Sequence, residues 1–240
     1  MYDAGALSRD ASSPYAPGEA SWRAARVGAS VGAFLDGNLA PDDLLESLQT
    51  VGAPDVGWWE VIANLRAVGA ARPPVCVRLP RPGDPRGVAL PRGVVAEGLV
   101  GYRVSLPSPG SMWLVPEAGD RWLTFALAAD LPGPADPAEC DRSLRAAIVQ
   151  AAHALDVAAA MPPPVGGRDQ AEATVDAWVL GTPALAAAQR AMASTALRVL
   201  LALDSLPRQS DAVALSDTTA LERAARDALE AAYSSPASHG

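Results

Sequence analysis

The chain has 240 residues, a formal net charge of -8, and a composition that is 50% hydrophobic but only 5% aromatic. That much apolar side chain excludes a wholly disordered chain, and the negative overall field argues against a generally basic nucleic-acid binder. Every apolar run is interrupted by a charge or a breaker before reaching the roughly 18 residues a membrane-spanning helix needs.

Residues 1–19 are small, polar and proline-bearing, and read as a flexible arm. A helix is predicted from Ser21, a good N-cap, to Leu35, with Gly37 just past its end. Val27, Val31, Phe34 and Leu35 form its stripe, and Gly28 and Gly32 make a smooth strip on a neighbouring face for close packing. Pro41-Asp42-Asp43 opens a second helix, in which Leu44, Leu48 and Val51 repeat and Gly52 ends the pattern. A third starts near Asp55 and carries Trp58, Val61, Leu65 and Val68, with Gly69 closing it.

From Pro73 to about Ala128 the pattern turns β-like. Val75 to Leu79 reads as a strand, and Val94-Val95 and Leu99 to Leu106 suggest one or two more. Met112–Val115 and Arg121–Leu127 flank a glycine-bearing turn and predict a hairpin. Trp58, Leu65, Trp113 and Trp122 fall on the apolar positions of their patterns and should be buried.

The proline-rich stretch 130–137 reads as a linker, and helices are predicted after it. One runs from Asp136-Pro137 to about Ala160, with Leu144, Ile148, Ala151 and Leu155 as its stripe. The others run over about Gln170–Leu180, from Pro183 to Leu203, and from a Thr219/Glu222 capping box to Tyr233. The fold class is therefore α+β: short N-terminal helices and a small antiparallel sheet over 20–129, a helical part over 130–233, and a disordered tail over 234–240.

Chemistry is constrained by what the chain lacks. All 19 basic residues are arginine, so lysine cannot serve as Schiff base, phosphate-loop cation or general base. Of two histidines, His239 lies in the tail and His153 falls opposite its helix's apolar stripe, so neither converges on a nucleophile. Cys76 and Cys140 stand 64 residues apart without a nearby histidine, so no metal site is predicted, and the pair fits thiols of a reducing compartment. Asp42 and Asp43 suit the positive end of a helix better than a cation. Gly166-Gly167-Arg168-Asp169 reads as a connector, and Glu117 and Asp120 as turn residues. The third helix carries a single arginine, Arg66, which argues against a winged-helix reader of DNA.

Charge is uneven along the chain. Residues 71–129 carry seven arginines against four acids, whereas the segments on either side are net negative. The densest piece is Arg78-Leu79-Pro80-Arg81-Pro82-Gly83-Asp84-Pro85-Arg86-Gly87, followed by Arg92. Guanidinium groups on a proline-stiffened loop suit a carboxylate or phosphate, so Arg78, Arg81, Arg86 and Arg92 form the candidate binding site. The competing reading is that they neutralise the acidic helices of their own chain.

Residues Gly28–Gly37, the Arg78–Gly87 loop and Trp113-Leu114-Val115-Pro116 resemble those of an uncharacterised conserved actinobacterial protein group. The resemblance covers about the first 130 residues and implies no activity, cofactor or catalytic residue. The primary functional reading is a non-enzymatic cytoplasmic binding or protein-interaction module without cofactor or metal. One alternative is an enzyme that uses scattered carboxylates and arginines. The other is a binder of an acidic ligand, nucleotide or nucleic acid through Arg78–Arg92, although the overall charge disfavours nucleic acid. Partners compatible with these readings are a protein, an acidic small ligand or a second copy of the chain.

Overall fold

The structure, a computed structural model, describes residues 19–54, 57–67, 75–80, 86–91, 94, 98–104, 110–116, 121–127, 135–158, 175, 179, 185–205 and 212–234. Three helices come first: α1 (Glu19–Leu35), α2 (Pro41–Gln49) and α3 (Trp58–Ala67). Between α2 and α3 lies a two-residue strand, β1 (Ala53–Pro54). Then come β2 (Val75–Arg78), β3 (Leu99–Val104), β4 (Gly110–Pro116) and β5 (Arg121–Leu127), and the helices α4 (Pro137–Ala158), α5 (Ala187–Ser205) and α6 (Ala212–Tyr233). The fold is α+β, with N-terminal helices, a small antiparallel sheet and C-terminal helices.

The sheet order is β1-β5-β4-β3-β2, antiparallel except for the parallel pair β1–β5. The hairpin is present as β4–β5, with Pro116 opposite Trp122 and Trp113 opposite Phe125. Alternation along the strands gives the sheet two apolar faces. Val75, Val100, Leu114 and Trp122 meet Ala24, Val27, Val31, Leu44, Leu48, Trp58, Val61 and Ile62 from α1, α2 and α3. On the other face Cys76, Leu99, Trp113 and Val115 pack with Val88, Leu90 and Val94. In a third cluster α4, α5 and α6 close on Ala25 and Ala29 of α1 and on Val77 and Leu79 at the end of β2. Val175 and Val179, four residues apart and both helical, are buried in it; the rest of the helix predicted over 170–180 lies outside the described residues.

The helix ends follow local chemistry. Behind α1, Gly37 adopts φ 75, the Asn38 amide donates to Ala33 and the Gly37 amide to Phe34. That is a Schellman closure, and it uses the glycine's freedom at positive φ. Asp136 caps α4: its Oδ1 accepts from the Ala138 amide, with Pro137 in the first turn. Ahead of α5 the Gln189 side chain reaches back to the Ala186 amide.

Several boundaries differ from the sequence reading. The first helix begins at Glu19, so Ser21 is a buried residue inside it, not its cap. An acidic residue and an alanine ahead of Ser21 extend the helix at little cost. The last helix begins at Ala212, so Thr219 is an exposed residue within it; the alanine- and leucine-bearing run before it carries the helix through one threonine pair. α5 begins at Ala187, and Pro183 lies outside the described residues. Val94 lies in a loop packed on the sheet, not in a strand. Strand β1 had no signal, because two residues ending in proline carry no alternation. Trp58, Trp113 and Trp122 are buried; the Leu65 side chain lies outside the described residues.

α1 lies close to the sheet because of Gly28. A Cβ there would sit 2.2 Å from Val77 Cγ2 and 3.3 Å from the Tyr233 carbonyl oxygen. The smooth strip on α1 thus seats the helix against β2 and against the end of α6 at once.

Candidate charged site at the β2 edge

β2 is the outer strand of the sheet, so the backbone groups of Val77 and Leu79 point away from β3. They meet side chains. The Val77 amide donates to Ser234 Oγ at 3.0 Å, and the Leu79 amide to Glu230 Oε1 at 2.7 Å. The Val77 carbonyl accepts from Arg78 Nη1 at 3.4 Å, and the Leu79 carbonyl from Arg226 Nη1 at 3.5 Å. Glu230 lies in the last turn of α6, and Ser234 follows that helix.

Glu230 is 4% exposed and binds two arginines, Arg78 Nη1 at 3.1 Å and Arg86 Nε at 3.4 Å. Arg86 also pairs with Asp227, one turn earlier on α6. Arg86 adopts φ 55, a left-handed conformation that a non-glycine residue holds only when its surroundings enforce it, and its two ion pairs supply that anchor. Gly87 follows at φ 74. Burial raises the Glu230 carboxyl above its ordinary value, opposed by Arg86, the Leu79 amide and Arg78.

Of the four arginines singled out in sequence, Arg78 and Arg86 converge on these two carboxylates. Arg81 and Arg92 lie outside the described residues. Glu230 and Asp227 did not enter the sequence reading, and Ser234 entered it only as the first residue of the tail. One signal was present: two acids near the C-terminal end of a helix oppose the helix dipole, an arrangement that needs cationic partners.

The remaining candidates sit apart. His153 is exposed on α4, and Asp42 and Asp43 are exposed in the first turn of α2. Glu117, Asp120 and Gly166–Asp169 lie outside the described residues. Cys76 and Cys140 are buried free thiols. Burial pushes the Cys76 thiol up to about 11 and raises that of Cys140 as well, which leaves both weak nucleophiles. Among the described residues, no three of His, Cys, Asp and Glu gather as a metal would need, and no helix is long and apolar enough to cross a membrane.

Residues 24–139 match a protein family described as Rv1486c-like protein, N-terminal domain. The match runs from α1 through the whole sheet into the start of α4. It includes Arg78 and Arg86 but neither Asp227 nor Glu230. No curated protein and no solved structure matches the chain.

Proposed function

We propose that this chain is a non-enzymatic, cytoplasmic protein-interaction module. The family match supports its likeness to an uncharacterised protein group, and the primary reading for it is recognition of another protein. The observation that carries the reading is Trp59. Trp58, Trp113 and Trp122 are at most 5% exposed, whereas Trp59 on α3 is 57% exposed. Leaving an indole in water forfeits roughly 2 kcal/mol of burial, and tryptophan is the residue type most enriched at binding hot spots.

The test is Trp59→Ala. Protein captured by the wild-type chain under crosslinking is identified and its affinity measured, and the self-association state is followed by light scattering. The variant should keep its melting temperature and lose about tenfold or more in affinity for a partner or a second copy, as befits a hot-spot side chain. Undiminished binding by a folded W59A chain would remove the support for this reading.

A further inference from the structure

We infer that the outer edge of β2 is a docking strand for an acidic, extended polypeptide, kept closed by the last turn of α6. This deepens the interaction reading but uses a surface independent of Trp59, so either can fail without the other.

The argument begins with geometry. Val77 and Leu79 present four outward backbone groups of the kind a neighbouring strand would satisfy. Side chains satisfy all four: Ser234 and Glu230 accept, Arg78 and Arg226 donate. The spacing explains how a helix can do this. Two strand residues advance about 6.8 Å, and four helix residues advance about 6 Å. Acceptors at 230 and 234 therefore fall in step with amides at 77 and 79. The end of α6 imitates a missing strand.

Charge then identifies the occupant. An extended segment could take the two amides through its own carbonyls, as strand addition does. It would also displace Glu230 from Arg78 and Arg86, which are buried on their side chains to 9% and 12% exposure. Arg86 keeps Asp227, but both guanidinium groups lose the carboxylate they share, and breaking a buried ion pair from one side is costly. A segment with a glutamate or aspartate in its middle restores that contact, and a neutral segment does not. The closure rests on ion pairs whose desolvation is only partly offset, which is consistent with the raised Glu230 carboxyl. The closed turn lowers the apparent affinity of any such segment by the fraction of chains that are open.

The probes are two fluorescein-labelled peptides of the sequences Thr-Val-Glu-Val-Thr and Thr-Val-Gln-Val-Thr, titrated into the full chain by fluorescence anisotropy. The double variant E230Q/S234A should bind the acidic peptide about tenfold or more tightly than wild type, since opening removes the closure penalty. It should show no such gain for the glutamine peptide. Adding Arg86→Ala should abolish the gain. Ser234→Ala alone keeps both ion pairs and removes one acceptor, so it remains informative if the double variant does not fold. It should gain about threefold for the acidic peptide. Equal binding of the acidic peptide by wild type and folded S234A or E230Q/S234A would overturn the inference, as would equal gains for both peptides.

Discussion

The two edges of the sheet pose the same problem and are closed by different chemistry. At the β1 edge Ala53 and Pro54 pair with β5. What secures the turn before them is the Val51 carbonyl, which accepts from Arg23 Nε and Nη2 at 3.0 and 2.7 Å and from Trp122 Nε1 at 2.9 Å. Trp58 Nε1 donates to the next carbonyl, Gly52, at 2.8 Å, and its ring meets Trp122 edge-on. The Arg23 guanidinium lies 5.2 Å from the centre of the Trp122 ring. At the β2 edge the same task falls to Arg78, Arg86, Asp227 and Glu230. The first closure sets its arginine against a carbonyl and a ring; the second sets arginines against carboxylates. The second should respond to pH through the buried Glu230 carboxyl.

The largest expected effect breaks the second closure. Glu230→Ala leaves Arg78 and Arg86 buried without their shared anion, and removing one partner of a buried pair costs about 3–5 kcal/mol. Urea denaturation measures it. The pH dependence has a definite sign. Burial raises the Glu230 carboxyl above its ordinary 4.5, so the folded chain holds this proton more tightly than the unfolded one. Its stabilising contribution is complete below pH 4.5 and is lost as pH rises through the raised value. Wild-type stability measured relative to Glu230→Gln should therefore fall over that interval. A flat difference would mean that the carboxyl is not perturbed by its burial.

Next in size is Arg23→Ala, at the other edge. It removes two charge-assisted hydrogen bonds to Val51 and a cation on Trp122, and hydrogen bonds to charged groups contribute about 1.5–3 kcal/mol each in such settings. The loss should be about 2–4 kcal/mol by urea denaturation. A loss below about 1 kcal/mol would show that these contacts do not secure the β1 edge.

Gly28→Ala tests the element both edges share. The new methyl meets Val77, a stiff β-branched side chain, and the Tyr233 carbonyl. Overpacking costs about 1–3 kcal/mol and improved helix propensity returns about 1, so the net loss should be about 0–2 kcal/mol by thermal denaturation. A stabilised G28A chain would show that α1 can move off β2 freely.

What could be read from the sequence follows the range of the interactions. The β4–β5 hairpin, the Pro41 helix start and the Asp136-Pro137 start are set within a few residues, and each appears where the local pattern puts it. The arginines of the β2 edge were visible as a local excess of charge. Their carboxylates stand about 150 positions away, on a helix for which the sequence reading gave only a capping box and an end at Tyr233. No local signal pairs Arg78 with Glu230; that pairing exists because the last helix packs against α1 and β2. The Arg23 site was hidden for a related reason. The Val51 carbonyl and the Trp122 ring that meet it stand far along the chain, and neither a carbonyl nor a ring leaves a charge signal in sequence.

The smallest expected effect isolates what makes the β2 edge matter. Arg145 Nε lies 2.9 Å from Asp141 on α4, slightly closer than Arg78 lies to Glu230, and the two residues are one turn apart on the same helix. By distance alone the two pairs should be equivalent. They differ in water: the Arg145 side chain is 75% exposed, against 9% for Arg78. In high dielectric the attraction is largely screened, and immobilising two long side chains offsets what remains. Arg145→Ala should therefore change stability by less than about 0.5 kcal/mol. Its residual effect should vanish near 1 M salt, where the screening length is about 3 Å. Urea denaturation of R145A beside E230A makes the comparison directly. If the exposed pair cost as much as the buried one, burial would not be what gives the β2 edge its strength. The pH dependence expected of Glu230 would then lose its physical basis.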